Sequence, residues 1–225
     1  FAMRRLQSSL FAHLNENGPM NDVQAFFGIR QLLCALSHIH SLDMMHRDLS
    51  SNNILVDKKR DDGLPTLVVA DLGSAMSTNL PGGRCMTTHV TTLPFRAPEL
   101  FEGSEFYTEV IDIWSAGMIF LEMKTSNTFF HRGTEKEMLC RIEQIVEFEL
   151  PQLKALSHDA RLLLRDLLIW CPENRPSAST VSDYTYMDVL LNPPRKRLKR
   201  TPQTPGPKNH AHRSWKSPDI ALGRD

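Results

Sequence analysis

His46-Arg47-Asp48-Leu49-Ser50-Ser51-Asn52-Asn53, running into the apolar stretch Ile54-Leu55-Val56, decides how this chain reads. An Asp and an Asn in that order, just ahead of a strand, suit one kind of chemistry. The carboxylate can accept the proton of an attacking hydroxyl, while the amide carbonyl holds a divalent metal on a polyphosphate. Taken alone, the stretch is equally a charged turn before a strand. Its downstream neighbours weigh against that. Thr66-Leu67-Val68-Val69-Ala70 is a second apolar run, ending in Asp71-Leu72-Gly73. Residues 53–56 and 67–70 predict a hairpin across an Asp-Gly turn at Asp62-Gly63. Such a hairpin brings Asp71 beside Asn53, so that two oxygen ligands converge on one point.

Further on come Arg96-Ala97-Pro98-Glu99, Asp112-Ile113-Trp114-Ser115-Ala116-Gly117 and Arg175. This ordered series resembles the C-terminal lobe of a eukaryotic protein kinase, whose signature reads HRDLxxxxN, DFG and APE. The resemblance covers roughly residues 1–190. It implies an α+β, mainly α-helical fold: a kinase C-lobe with a short β-hairpin at the catalytic loop. It also implies transfer of the ATP γ-phosphoryl group to protein hydroxyls, with Mg²⁺. Asp48 takes the place of the base, and Asn53 and Asp71 take those of the metal ligands. Leu55 would lie under the adenine, and Ala2 in the hinge at its edge. His46 would pack in the core and orient the loop, Asp112 would accept backbone N–H bonds from it, and Glu99 would pair with Arg175.

The string from Thr87 to Glu99 is most similar to the cyclin-dependent and mitogen-activated branch, in which an Arg directly precedes APE. In that register Thr87 takes the place of the activating phosphothreonine, the target of an upstream kinase. Arg47 would reach its phosphate, with Arg84 assisting, although Met76 stands where cyclin-dependent kinases carry a further Arg. Thr92 corresponds to the Thr that braces the catalytic Asp of Ser/Thr kinases, and Arg96 to the residue associated with Pro after the phosphoacceptor. The branch suggests an activating cyclin-like subunit. Its usual insertion between the helices predicted at 136–148 and 157–169 is almost lacking here, which loosens the assignment to the branch.

Three departures matter. Ser50 stands where Ser/Thr kinases place a Lys that neutralises the transferring group, and electrostatic stabilisation is commonly the largest catalytic term. Leu72 replaces the Phe of DFG and is expected to fill the same apolar stack against His46. No GxGxxGxV with a VAIK-type Lys can be read in residues 1–225, so the N-terminal lobe is expected to be absent and the isolated chain inactive. Two other readings stay open. One is a pseudokinase or scaffold that binds partners without catalysis, favoured by Ser50. The other is a tyrosine kinase, which Thr92 and Arg96 disfavour.

Apolar spacing predicts helices over residues 9–14, 22–40 and 107–123, as well as 136–148 and 157–169. Asn21 and Gln24 have capping-box spacing, and Gly18-Pro19 ends the helix before them. Ser157 is a candidate N-cap. An apolar fraction of 41% is that of an ordinary globular chain, and no uninterrupted apolar run is long enough for a membrane span. The four cysteines lack paired spacing, which points to reduced thiols inside a cell. His38, His40 and His46 invite a metal reading, but no acidic residue stands at i+4 to complete one.

The zero net charge hides an asymmetry. From Pro193 on, nine Lys and Arg face two acidic residues, +7, leaving 17 against 24, or −7, for residues 1–192. Residues 191–225 are therefore read as a disordered basic tail with Pro, Thr and Ser. Its run at 195–200 suits a nuclear-import receptor, with a solubilising or nucleic-acid-touching tail as the alternative, and implies nuclear as well as cytoplasmic location.

Overall fold

The computed structural model describes residues 8–57, 63–79, 87, 91–127 and 134–184. A two-residue strand, β1 (Ser8–Ser9), leads into helix α1 (Leu10–Asn17), whose N-cap Ser9 accepts the Ala12 N–H. Gly18, at φ 76°, ends α1 in a conformation that costs only glycine little, and its N–H returns to Leu14 O. Helix α2 (Asp22–Ser41) opens with the anticipated capping box, Asn21 and Gln24 each accepting the other's backbone N–H. Its buried stripe includes Phe26, Ile29, Leu32, Leu33 and Leu36. Val23, in the first turn of α2, is 46% exposed.

Strand β2 (Met44–Met45) precedes the catalytic-loop sequence, and β3 (Ile54–Asp57) and β4 (Thr66–Val69) follow it. β3 is the middle strand of an antiparallel β1–β3–β4 sheet, with Ile54 opposite Val69 and Leu55 opposite Val68. β5 (Met76–Ser77) pairs antiparallel with β2. Both two-residue pairings were illegible in the sequence, because so short a strand has no periodicity to read.

Six helices complete the described fold: α3 (Pro98–Phe101), α4 (Val110–Thr125), α5 (Glu135–Val146), α6 (Pro151–Lys154), α7 (His158–Leu167) and α8 (Ala178–Ser182). Helix α4 is the centre. Every residue from Ile111 to Met123 is buried, so it has core on all sides and no solvent stripe. Phe120 meets Phe26 of α2 edge to face, ring centroids 5.2 Å apart. At Gly117 a Cβ would come within 2.7 Å of Leu168 Cδ2 and 2.9 Å of Leu167 Cβ, so α7 and its cap reach α4 only because that position is glycine.

One buried carboxyl of this core is poorly satisfied. Glu122 on α4 is 4% exposed, and its Oε2 has no hydrogen-bond partner among the described residues. Burial pushes its carboxyl above the usual carboxylate range, and a hydrogen bond from Ser51 pulls it back in part. A raised acid stabilises the fold while it stays protonated and loses that contribution as pH climbs through its raised value. Glu122→Gln is therefore expected to gain melting temperature over the native chain as pH rises from acid to neutral. Parallel pH profiles of the two melting curves would contradict this.

Candidate active site

The loop from His46 to Asn53 is held by α4. Asp112, near the start of that helix and 1% exposed, accepts the His46 N–H at Oδ2 (2.8 Å) and the Arg47 N–H at Oδ1 (3.0 Å). Its Oδ2 also lies 2.9 Å from His40 Nε2 on α2. Two successive amides bound by one buried carboxylate hold a turn that Arg47, at φ 69°, would otherwise leave. The His46 ring ties this loop to the end of β4. Its Nε2 lies 3.1 Å from Ala70 O, and Nδ1 lies 3.3 Å from the Asp48 N–H, which fits the tautomer with the proton on Nε2.

Asp48 is half-buried and bonded from two sides. Thr92 donates both its Oγ1–H (3.0 Å) and its N–H (3.2 Å) to Oδ1. Asn53 Nδ2 donates to Asp48 O at 2.8 Å and to Oδ2 at 3.2 Å. Oδ2 thus keeps a lone pair directed elsewhere. Asn53 spends its amide hydrogens on Asp48, which turns its Oδ1 away as an available acceptor. The β3–β4 pairing continues one step further, with Ala70 N–H on Asn53 O at 2.8 Å, so that Asp71 directly follows the partner of Asn53. Asp71 is exposed in a left-handed conformation (φ 63°, ψ 75°), and among the described residues its side chain is engaged at Oδ1, by the Gly73 N–H.

Two hard oxygen donors with free lone pairs fit Mg²⁺, which binds through one or two protein oxygens and otherwise keeps waters and phosphates. No cluster of three or more His, Cys, Asp or Glu that could hold a metal by itself exists among the described residues. Ser50 is 1% exposed, and its carbonyl accepts the Asn53 N–H. Leu55 is half-buried beside Val68, itself 39% exposed. Leu72 departs from expectation: it is 56% exposed and does not fill a stack against His46. The left-handed Asp71 and the short turn at Leu72–Ser74 carry it outward.

The segment after Asp71 returns to the loop. Thr87 Oγ1 lies 3.5 Å from Arg47 Nη2, and Arg47 Nη1 points at Met76 Sδ. The Thr87 carbonyl accepts the Tyr107 hydroxyl at 2.8 Å. Arg96 is 8% exposed, over the ring of Phe101 (5.3 Å) and 3.5 Å from Glu135 Oε1. Burial lowers its pKa and Glu135 raises it, within a range where guanidinium stays charged. Its Nη2 donates to Thr91 O at 3.4 Å, and Thr91 is left-handed at φ 68°. Glu99 and Arg175 form two parallel bonds of 2.6 Å. Ala2, Arg84, the hinge at 1–3 and the basic run 195–200 lie outside the described residues.

Three residues escaped the sequence reading. His40 has no acidic residue at i+4 and finds Asp112, 72 positions on, through the α2–α4 packing. Tyr107 was read as the start of a helix, yet it sits before α4 and contacts Thr87 and Arg47. Glu122 reads as an ordinary helix acid, since only burial distinguishes it. A single Tyr or Glu in an apolar stretch carries no signal that could have marked either.

Comparison with known proteins gives a family and several relatives. The protein kinase domain family matches residues 2–187. The chain is 31% identical to cyclin-dependent kinase B2-2 of Arabidopsis thaliana, over 80% of this chain and 63% of that protein. It is 30% identical to cell division control protein 2 homolog C of Antirrhinum majus, over 76% and 62%. With mitogen-activated protein kinase 5 of Arabidopsis thaliana it shares 29%, over 82% and 55%. The chain thus spans less than two thirds of each of these relatives. With its motifs, their order and the family match across residues 2–187 in agreement, the chain belongs to the eukaryotic protein kinase superfamily, on the side of its cyclin-dependent and mitogen-activated branch.

Proposed function

We propose that this chain carries the catalytic half of a Ser/Thr protein kinase that favours Pro directly after the phosphoacceptor. The observation that carries the reading is the half-buried Asp48 carboxylate, bonded at Oδ1 by Thr92 and at Oδ2 by Asn53. Asp48 Oδ2 accepts the proton of a substrate hydroxyl, and Thr92 holds the carboxylate at the orientation this requires. Asn53 Oδ1 and Asp71 Oδ2 would hold Mg²⁺, which when bound neutralises phosphate charge. His46 and Asp112 keep the loop from relaxing, so the reacting oxygens stay in register.

Arg96 and Thr91 support the Pro preference. The left-handed Thr91 turns its carbonyl toward Arg96, where it is unavailable to a peptide N–H following the phosphoacceptor. An ordinary residue there would leave a donor unpaired, at a cost of about 1–3 kcal/mol, and Pro has no N–H to lose. Thr87 is proposed as the regulatory phosphate site, with Arg47 as its partner, and residues 195–200 as a nuclear-import signal. Partner binding without catalysis is favoured by Ser50: it is buried, and no Lys stands there to neutralise the transferring group.

The test is phosphoryl transfer from labelled ATP to paired Ser-Pro and Ser-Ala peptides. The enzyme is the protein completed with a glycine-rich lid and a phosphate-gripping Lys. The Ser-Pro peptide is expected to react roughly tenfold faster or more, the rate equivalent of one unpaired N–H. Equal rates remove the Pro preference, and no transfer to either peptide favours the partner-binding reading. Residues 1–225 alone are expected to give none: the Leu55, Asn53 and Asp71 face cannot enclose the roughly 70–90% of a nucleotide's surface that binding sites bury.

A further inference from the structure

Arg47 is a buried cation with poor company. Only 8% exposed, it has no carboxylate within ion-pair distance among the described residues. Its Nε is buried without an acceptor, Nη1 faces a thioether and Nη2 a hydroxyl at 3.5 Å. A guanidinium has five donors in a rigid fork, and weak acceptors like these leave most of its capacity unused. An unpaired buried charge is costly, and a phosphate is the kind of group that would satisfy it.

Tyr107 touches both sides of this gap. Its ring lies under the Arg47 guanidinium, 5.9 Å from centroid to Cζ, a cation–π distance. Its hydroxyl donates to the Thr87 carbonyl at 2.8 Å. The ring therefore limits where the guanidinium rests, and the hydroxyl limits where Thr87 rests. Tyr107 itself is 7% exposed, part of the core, and stands two residues ahead of the α4 N-cap. Burial raises its phenol pKa, while the Arg47 charge and a hydrogen bond from Arg47 draw it back in part, so the hydroxyl stays a donor through neutral pH.

We propose that Tyr107 is a positioning residue that holds Arg47 and Thr87 at the separation a phosphate on Thr87 requires, the ring fixing the cation and the hydroxyl fixing the backbone that bears the phosphate. The proposal rests on the reading of Thr87 as a phosphate site. It assigns the pocket one ligand chemistry, a phosphate monoester dianion carried on the chain itself. It also makes the cradle two-sided, with one strong cation and one aromatic clamp.

The experiment uses the 225-residue chain with phosphothreonine installed at position 87, in native, Tyr107→Phe, Tyr107→Leu and Arg47→Ala forms. Two readouts are followed: the phosphorus-31 chemical shift against pH, which gives the phosphate's second pKa, and its rate of removal by a nonspecific phosphatase. A phosphate against Arg47 titrates below the usual value of about 6. Tyr107→Phe keeps the ring and loses the hydroxyl, so removal is expected to quicken about threefold with a small rise in pKa. Tyr107→Leu loses both, and removal is expected to be about tenfold faster, the effect of one charge-assisted hydrogen bond. Arg47→Ala should bring the pKa to that of a free phosphothreonine peptide. If Arg47→Ala shifts the titration while both Tyr107 variants match the native chain, the positioning role is overturned and the Thr87 reading survives. If Arg47→Ala changes nothing, both are overturned. Tyr107→Phe, which removes a single oxygen, guards against a result that merely reports unfolding of Tyr107→Leu.

Discussion

Asp48→Asn is expected to lower the rate of phosphoryl transfer by roughly 10²–10⁴, the usual contribution of a general base. The substitution changes no volume and keeps an oxygen at Oδ1 to accept both Thr92 bonds, so the loop should hold its shape. What it removes is the acceptor at Oδ2. An amide nitrogen placed there would also face Asn53 Nδ2, donor against donor, where the native pair is 3.2 Å apart. The loss should fall on kcat with KM for peptide little changed, because the residue acts on the hydroxyl proton and not on peptide affinity. The assay needs the completed catalytic site, single-turnover conditions and a melting curve of each variant. A native rate from Asp48→Asn would take this carboxylate out of the mechanism.

The second large effect is on stability. Arg175 spends all five donors: Nη1 on Glu99 Oε1 and Val110 O, Nη2 on Glu99 Oε2 and Trp170 O, and Nε on Ile169 O. Its guanidinium also lies 5.1 Å from the Trp114 ring centroid. Arg175→Ala leaves the Glu99 carboxylate buried without a cation and three carbonyls without donors. The expected cost is about 3–5 kcal/mol, a large share of the stability of a typical domain. Glu99→Gln should cost less, since Gln still accepts one bond and strands a cation that keeps three carbonyl partners. The measurement is urea unfolding of the native and variant chains, reading the midpoint at unchanged slope. A loss below about 1 kcal/mol for Arg175→Ala would mean that water reaches Glu99 and that the pair is no more than a surface bridge. The double change Glu99→Leu with Arg175→Met is expected to be milder than Arg175→Ala, because neither charge is then left alone.

Local signals in the chain were read well wherever they repeat or cap. The α2 stripe and its Asn21–Gln24 box, the Ser157 N-cap and the β3–β4 hairpin all emerged within a residue or two of their predicted bounds. The predicted helix at 107–123 begins three residues later, at Val110, which frees Tyr107 to lie against the Thr87 segment. Leu72 went the other way: its apolar character suggested packing, while the left-handed backbone at Asp71 sends it to solvent. No pattern of residue types announces a positive φ at a non-glycine position.

By itself the sequence determined the superfamily, the identity of each motif residue and the existence of the longer helices, because these depend on side-chain type, spacing and short-range capping. The tertiary structure alone decided which groups meet. It put His40 and two loop amides on Asp112, gave the Asp48 oxygens to Thr92 and Asn53, stranded Glu122 in the core and set Tyr107 between Arg47 and Thr87. Those pairings span from 5 to 72 positions along the chain. The three at Asp112 exist because α4, buried on every side, carries that carboxylate between segments that have no contact in sequence.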